Sequence, residues 1–189
     1  MEINREELET RLDRIIGWIN NCDQKTSVLL AIEGVVLTVF CTSDYISLIH
    51  QRLVIPIYTC YKTGTGGFSL TNTIQICLLL AMFVFAFLSI FYSLLVIKGE
   101  TDIRVFKQPE IENKSLTHFS SISNMSFIDF KRGVLKQSEK SLLNDLFSQI
   151  YINSSICHGK FKCHKKSVCY FCMFMFSLFI VSFIQFIAQ

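Results

Sequence analysis

Proline is nearly missing from the chain, with two residues in 189, so no Pro-rich linker or tail divides it. Catalytic signatures are missing too: there is no hydrolase triad and no paired-carboxylate motif. Gly64-Thr65-Gly66-Gly67 lacks the Lys and the following helix that a phosphate loop needs. These absences argue against an enzyme and leave no cofactor to expect. The first 26 residues carry charges of both signs, with no apolar run and no cleavage site, so no secretory signal peptide is read. Residues 73–97 and 168–188 contain no charged side chain at all. A chain that is 51% hydrophobic with 18 Phe has more apolar surface than a compact soluble core absorbs, and the bilayer is the solvent it fits.

The run 73–97 covers 25 residues and the run 168–188 covers 21, against about 20 needed to cross a hydrocarbon core. A first span is read over 27–46, with Asp44 near its outer end. Within it Ser27, Ala31, Gly34, Thr38 and Cys41 recur at spacings of four and three, a stripe of small residues suited to close helix packing in lipid. Glu33 lies beside Gly34, about 10 Å into the span by helical rise, where an ionised carboxylate is costly. The residues leave two readings for it: a protonated carboxyl hydrogen-bonded to a neighbouring helix, or a group that lines or gates a pore. Asp23 and Lys25 stand at the water–lipid boundary, where a charged pair can be hydrated and can fix the depth of the helix.

Eight cysteines invite a disulfide framework, but Cys41, Cys77, Cys169 and Cys172 fall inside the candidate spans, where a thiol is a small apolar filler. Cys157, His158, Cys163 and His164 match no common zinc spacing. Residues 3–22 read as an amphipathic helix, with Leu8, Leu12, Ile15 or Ile16, and Ile19 on one face. Its acidic residues weigh against an anionic membrane surface. The connection 47–72 is interrupted by Pro56, Gly64, Gly66 and Gly67.

Residues 98–167 form the soluble module. A loop with one short strand is expected over 104–124, then a short helix capped at Ser126 with Asp129. A second helix, over 138–154, gathers Leu142, Leu143, Leu146, Phe147 and Ile150, with the N-terminal helix as its partner. Lys131, Arg132, Lys136 and Lys140 could draw a phosphate, with Phe119, Phe127 and Phe130 near in sequence for stacking; a solvated face or a lipid-headgroup contact is the competing reading.

The layout resembles the transmembrane effectors of bacterial Pycsar anti-phage defence. The resemblance runs through Trp18 and Asp23-Gln24-Lys25-Thr26 at the entry to the first span, a second span, Phe119 with Ile122, and Asp145, Leu146 and Gln149 in the soluble helix. Lys160-Phe161-Lys162 before the last span completes it. Thr26 stands where the family usually has Ala. Ser120 and Ser121 stand where it tends to have Gly and a polar ring or acid. The resemblance implies an all-α protein of the bacterial inner membrane. On binding a cyclic pyrimidine mononucleotide, cUMP or cCMP, it would assemble or rearrange as a homo-oligomer and impair the lipid bilayer in an abortive infection. No nucleic acid polymer is implied as a partner. The candidate ligand residues are Asp23, Lys25, Phe119, Ser120, Ser121, Lys131 and Arg132; the candidate gating residues are Glu33 and Gly34. A non-enzymatic membrane scaffold and an effector answering a cyclic oligonucleotide are the rival readings.

The expected architecture is three transmembrane helices with an N-terminal amphipathic helix and a mostly helical cytoplasmic module over 98–167. Basic residues number 4 before the first span, 2 in the connection and 12 between 98 and 166, which puts the N-terminus and the module in the cytoplasm. Alkaline phosphatase fused after Gln189 should therefore be active and a fusion at Asn124 inactive; the opposite pattern overturns this topology.

Overall fold

The computed structural model describes residues 4–42, 45–51, 55, 58, 61–62, 70–99, 111 and 115–187. Asp44, Pro56, Cys60, Gly64, Gly66, Gly67 and Pro109 lie outside them. The described residues form helices α1 (Arg5–Thr42), α2 (Tyr45–Ile49), α3 (Leu70–Lys98), α4 (Phe119–Ser123), α5 (Phe127–Lys136) and α6 (Glu139–Ile187). No strand occurs among them. Of the stretch 104–124, where one short strand is expected, residues 104–110 and 112–114 lie outside the described residues, and Phe119–Ser123 is a short helix. The helix expected over 138–154 and the third span are one helix of 49 residues, because nothing between them breaks it: no Pro occurs, and Gly159 is an ordinary helical position. Among the described residues three helices are long and apolar enough to cross a membrane.

The chain divides into two compact units. The first comprises Met1–Gln24 and Leu95–Lys162. In it α1 buries Leu8, Ile15 and Cys22 at steps of seven residues, while Ile16 is 40% exposed, so Ile15 is the inward member of the pair. On α6 the expected apolar face is only partly used. Leu146 is buried and Phe147 is 44% exposed, whereas the polar Asp145, Ser148 and Gln149 are all buried.

The caps explain where the short helices begin. Ser126 Oγ accepts from the Asp129 amide at 3.1 Å and donates to the Asp129 carboxylate at 2.6 Å. That satisfies one unpaired donor of the first turn and places negative charge at the positive end of α5. Ser138 Oγ accepts from Ser141 N at 3.2 Å in the same way and starts α6. At the end of α3, Gly99 takes φ +63°, which L side chains rarely adopt, and a Cβ there would stand 3.2 Å from Lys160 Cε.

The second unit comprises Lys25–Leu94 and Cys163–Gln189. Its core is Phe40, Leu79, Met82, Ala86, Phe174 and Val181. On α3 the buried residues are Gln75, Leu79, Met82, Ala86, Ser89 and Ser93, alternating steps of four and three. On α1 they are Thr26, Glu33 and Phe40, at every seventh residue, and on α6 Ser167, Phe174 and Val181 at the same seven-residue spacing, with Ser177 between the last two. A seven-residue repeat keeps one seam inward when helices wrap with a left-handed supercoil.

What distinguishes this seam is its content. Hydroxyls and a carboxyl point in, while Val35, Val39, Leu80, Phe87, Phe176 and Phe179 point out, each more than half exposed. Lipid tails solvate Phe and Leu as well as another helix would, so interiors of spanning bundles favour small and polar groups. Tyr92 stacks on Tyr170 at 5.6 Å between centroids, and Lys166 Nζ lies 4.9 Å above the Tyr92 ring. Tyrosine and lysine at the end of an apolar run are the residue types that anchor a span at the headgroups.

Candidate functional site

Polar side chains from different helices meet inside each unit. In the first, Lys160 Nζ donates to both carboxylate oxygens of Asp23, at 2.6 and 2.8 Å. The Lys160 side chain is 8% exposed and that of Asp23 36%, so the cation is the member that cannot reach water. Lys160 also lies against Gly99 at the carbonyl end of α3, where a positive charge is favoured. Of the two boundary residues, Asp23 accepts from Lys160 of α6, and Lys25 is exposed. Nearby, burial pushes the Cys157 thiol up, and the Lys160 charge opposes that shift.

Two junctions lie in the second unit. Thr26, fully buried, brings its hydroxyl to 2.9 Å from His164 Nδ1. Burial, and secondarily the Lys25 charge, holds the imidazole below its ordinary value. The second junction is built on Glu33, which is also fully buried. Ser89 Oγ lies 3.1 Å from Glu33 Oε2 and 3.2 Å from the Ser167 carbonyl oxygen. Ser167 Oγ donates to the Ser89 carbonyl at 3.1 Å, and the Ser93 and Ser167 hydroxyls are 2.6 Å apart. These four contacts call for four hydrogens, and the three serines supply three. Either Ser89 shares its hydrogen between Glu33 Oε2 and the Ser167 carbonyl, or Glu33 supplies the fourth. Glu33 Oε1 has no hydrogen-bond partner among the described residues.

The other expected residues are distributed as follows. Ser27, Ala31, Gly34, Thr38 and Cys41 are all exposed, and nothing lies within 4 Å of a Cβ built on Gly34. Phe119 and Ser120 open α4, and Ser121 follows half-buried. Lys131 and Arg132 line a surface groove of about 430 Å³ with Phe127, Ile128, Leu135 and Lys136. The aromatic ring in that groove is Phe127. Arg132 lies 3.5 Å from Asp129, with both side chains exposed. Among the described residues no three His, Cys, Asp or Glu side chains gather as a metal set.

Sequence reasoning did not single out Ser89 or His164 as partners of the first span, nor Ser167 as the partner of Ser89 and Ser93. The signal available for the serines was their recurrence at four- and seven-residue steps with the buried apolar positions.

This arrangement defines an all-α membrane protein with three helices able to span the bilayer and a helical unit rich in buried polar contacts. The family model PycTM, the Pycsar effector protein domain, matches residues 7–187. The chain is 34% identical over 167 residues to the Pycsar effector protein GmPycTM of Gulbenkiania mobilis, covering 88% of this chain and 85% of that one. It therefore belongs to the Pycsar effector family of antiviral defence, as its resemblance implied. No solved structure matches it.

The Asp23–Lys160 pair is asymmetric, and its variants should be too. Asp23→Asn strands a buried ammonium and should destabilise the solubilised protein by about 2–3 kcal/mol, whereas Lys160→Met leaves a carboxylate that water can reach and should cost about 1 kcal/mol. Denaturant unfolding in detergent measures both, and equal losses would refute the asymmetry.

His164 gives a pH dependence of definite sign. Its folded value lies below the unfolded 6.5, so its contribution is full above pH 6.5 and is lost as pH falls through the lower, folded value. Melting temperature should drop on acidification below about pH 6.5, and the drop should shrink in His164→Gln. An unchanged acid limb in that variant would remove His164 as its cause.

Proposed function

We propose that this protein is a nucleotide-triggered effector that breaches the bacterial inner membrane during phage infection. The family match over residues 7–187 carries the reading, because it takes in the polar unit as well as all three apolar helices. The activating signal is a cyclic pyrimidine mononucleotide, cUMP or cCMP. The polar unit faces the cytoplasm, with the N-terminus on the same side, in keeping with 16 basic residues against 2 in the connection. It acts as the sensor rather than as an enzyme. Lys131 and Arg132 attract the phosphate, and the exposed Phe127 ring beside them offers a stacking surface.

The membrane part works as an assembly. Three helices from one copy enclose no aqueous path, and the exposed face at Ala31, Gly34, Thr38 and Cys41 lets a second copy approach closely. In the closed assembly Glu33 carries a proton and donates to Ser89. Because α1 runs unbroken from Arg5 to Thr42, displacement of its sensor end moves Glu33 out of that junction. Once hydrated, the carboxyl ionises as the barrier fails.

Dye-loaded proteoliposomes test the scheme. Cyclic UMP or cyclic CMP should release dye through the parent protein. Glu33→Leu and Glu33→Gln should alter the rate by about tenfold or more, a change of about 1.4 kcal/mol in the barrier. Gly34→Leu should abolish both release and crosslinked oligomers. No release with either nucleotide defeats the reading. Full release from both Glu33 variants removes only the gating role, and release from Gly34→Leu monomers removes the assembly.

A further inference from the structure

Two buried side-chain oxygens have no hydrogen-bond partner among the described residues: Glu33 Oε1 in the second unit and Asp145 Oδ1 in the first. Asp145 is 1% exposed. Its other oxygen, Oδ2, accepts from the Leu116 amide at 3.2 Å and from the Thr117 hydroxyl at 2.9 Å. Ser115, itself buried, accepts from the Thr117 and His118 amides at 3.1 and 3.0 Å. One half of the carboxylate thus holds a well-made turn. The other half is left without a donor.

That omission is expensive. A buried acceptor stripped of water and given nothing in return costs about 1–3 kcal/mol, more when charged, and folded proteins rarely keep one without a use. A structural role accounts for Oδ2 alone. Oδ1 calls for a donor brought from outside, and the donor must be an N–H or O–H group. A phosphate is excluded, because its charge has the same sign as the carboxylate. Gln149, four residues on and 6% exposed, lies on the same face of α6 and carries an amide that can donate and accept together. A carboxylate acceptor beside an amide suits the edge of a nucleobase, where an N–H adjoins a carbonyl oxygen or ring nitrogen.

We infer that Asp145 Oδ1 is the acceptor that reads the base of the activating nucleotide, taking the N3–H of uracil or the amino group of cytosine, with Gln149 as its companion. This rests on the cyclic pyrimidine reading above and adds the residue that recognises the base. It also orients the ligand, with the base toward Asp145 and the cyclic phosphate away from it. Since the carboxylate is covered, the nucleotide reaches it only when the turn at 115–118 lifts. Occupancy and conformational change are then one event.

The test measures binding of cyclic UMP and cyclic CMP to the full chain in nanodiscs, beside analogues whose base N–H groups are methylated: N3-methyl for uracil, N4,N4-dimethyl for cytosine. The parent should bind the unmethylated ligand about tenfold more tightly or better. In Asp145→Asn the amide oxygen can replace Oδ2 at Leu116 and Thr117, while the amide nitrogen puts a donor where Oδ1 stood. That variant should fold and lose the discrimination. Thr117→Val, which removes the hydroxyl's contacts with Oδ2 and Ser115 Oγ but none with Oδ1, should keep it. Equal parent affinity for methylated and unmethylated ligands overturns the assignment even if Asp145→Asn fails to fold, and so does full discrimination in a folded Asp145→Asn. Either result leaves the nucleotide reading standing. If neither cyclic nucleotide binds the parent, that reading and this assignment fall together.

Discussion

A hydroxyl or carboxyl buried inside a spanning helix has no water to turn to, so it must find its partner on another helix or go without. The exchange between Ser89 and Ser167, each hydroxyl bonding the other residue's carbonyl oxygen, meets that requirement and joins α3 to α6. Glu33 brings α1 to the same point through Ser89. Dispersion contacts among Phe40, Met82 and Phe174 fill the space nearby but do not select one rotation of a helix over another as a directional bond does. The junction therefore fixes which face of each helix looks inward, and the aromatic surface turned to the lipid is its complement.

The sequence was legible where physics acts over long windows. Hydropathy located the apolar helices, the Ser126–Asp129 spacing marked the start of α5, and the resemblance placed the chain in its family. It was less legible where the signal inverts. In a soluble helix the apolar stripe marks the core, but in the second unit large apolar residues face outward and Thr26, Glu33, Ser89 and Ser167 are buried. A reading that ranks faces by hydrophobicity has no purchase there. The resemblance named Asp145 and Gln149, but their burial with Ser148 escaped for a similar reason, since the leucines beside them drew the helix face toward themselves. Partners distant in the chain, such as Asp23 and Lys160, are set by packing that no local spacing records.

For a defence effector, the division of chemistry between the two units matters more than any single residue. Among the described residues each contains one buried carboxyl oxygen without a hydrogen-bond partner, and each of those carboxyl groups is tied through its other oxygen to a neighbouring segment. Such groups make a resting state that holds together without being at its stability optimum, which is the condition a trigger needs. Elsewhere the polar contacts are complementary, as in the two bonds from Lys160 to Asp23.

The seven-residue spacing of Thr26, Glu33 and Phe40, matched by Ser167, Phe174 and Val181, also limits how such a chain can change in length. Inserting or deleting one residue in either helix turns everything beyond it by about 100°, which would carry a carboxyl or hydroxyl from the seam into the hydrocarbon. Only whole repeats, or compensated changes of three and four residues, restore the phase. Length variation among descendants of this sequence should therefore collect in the segments that join the helices. The long helices should diverge by substitution alone.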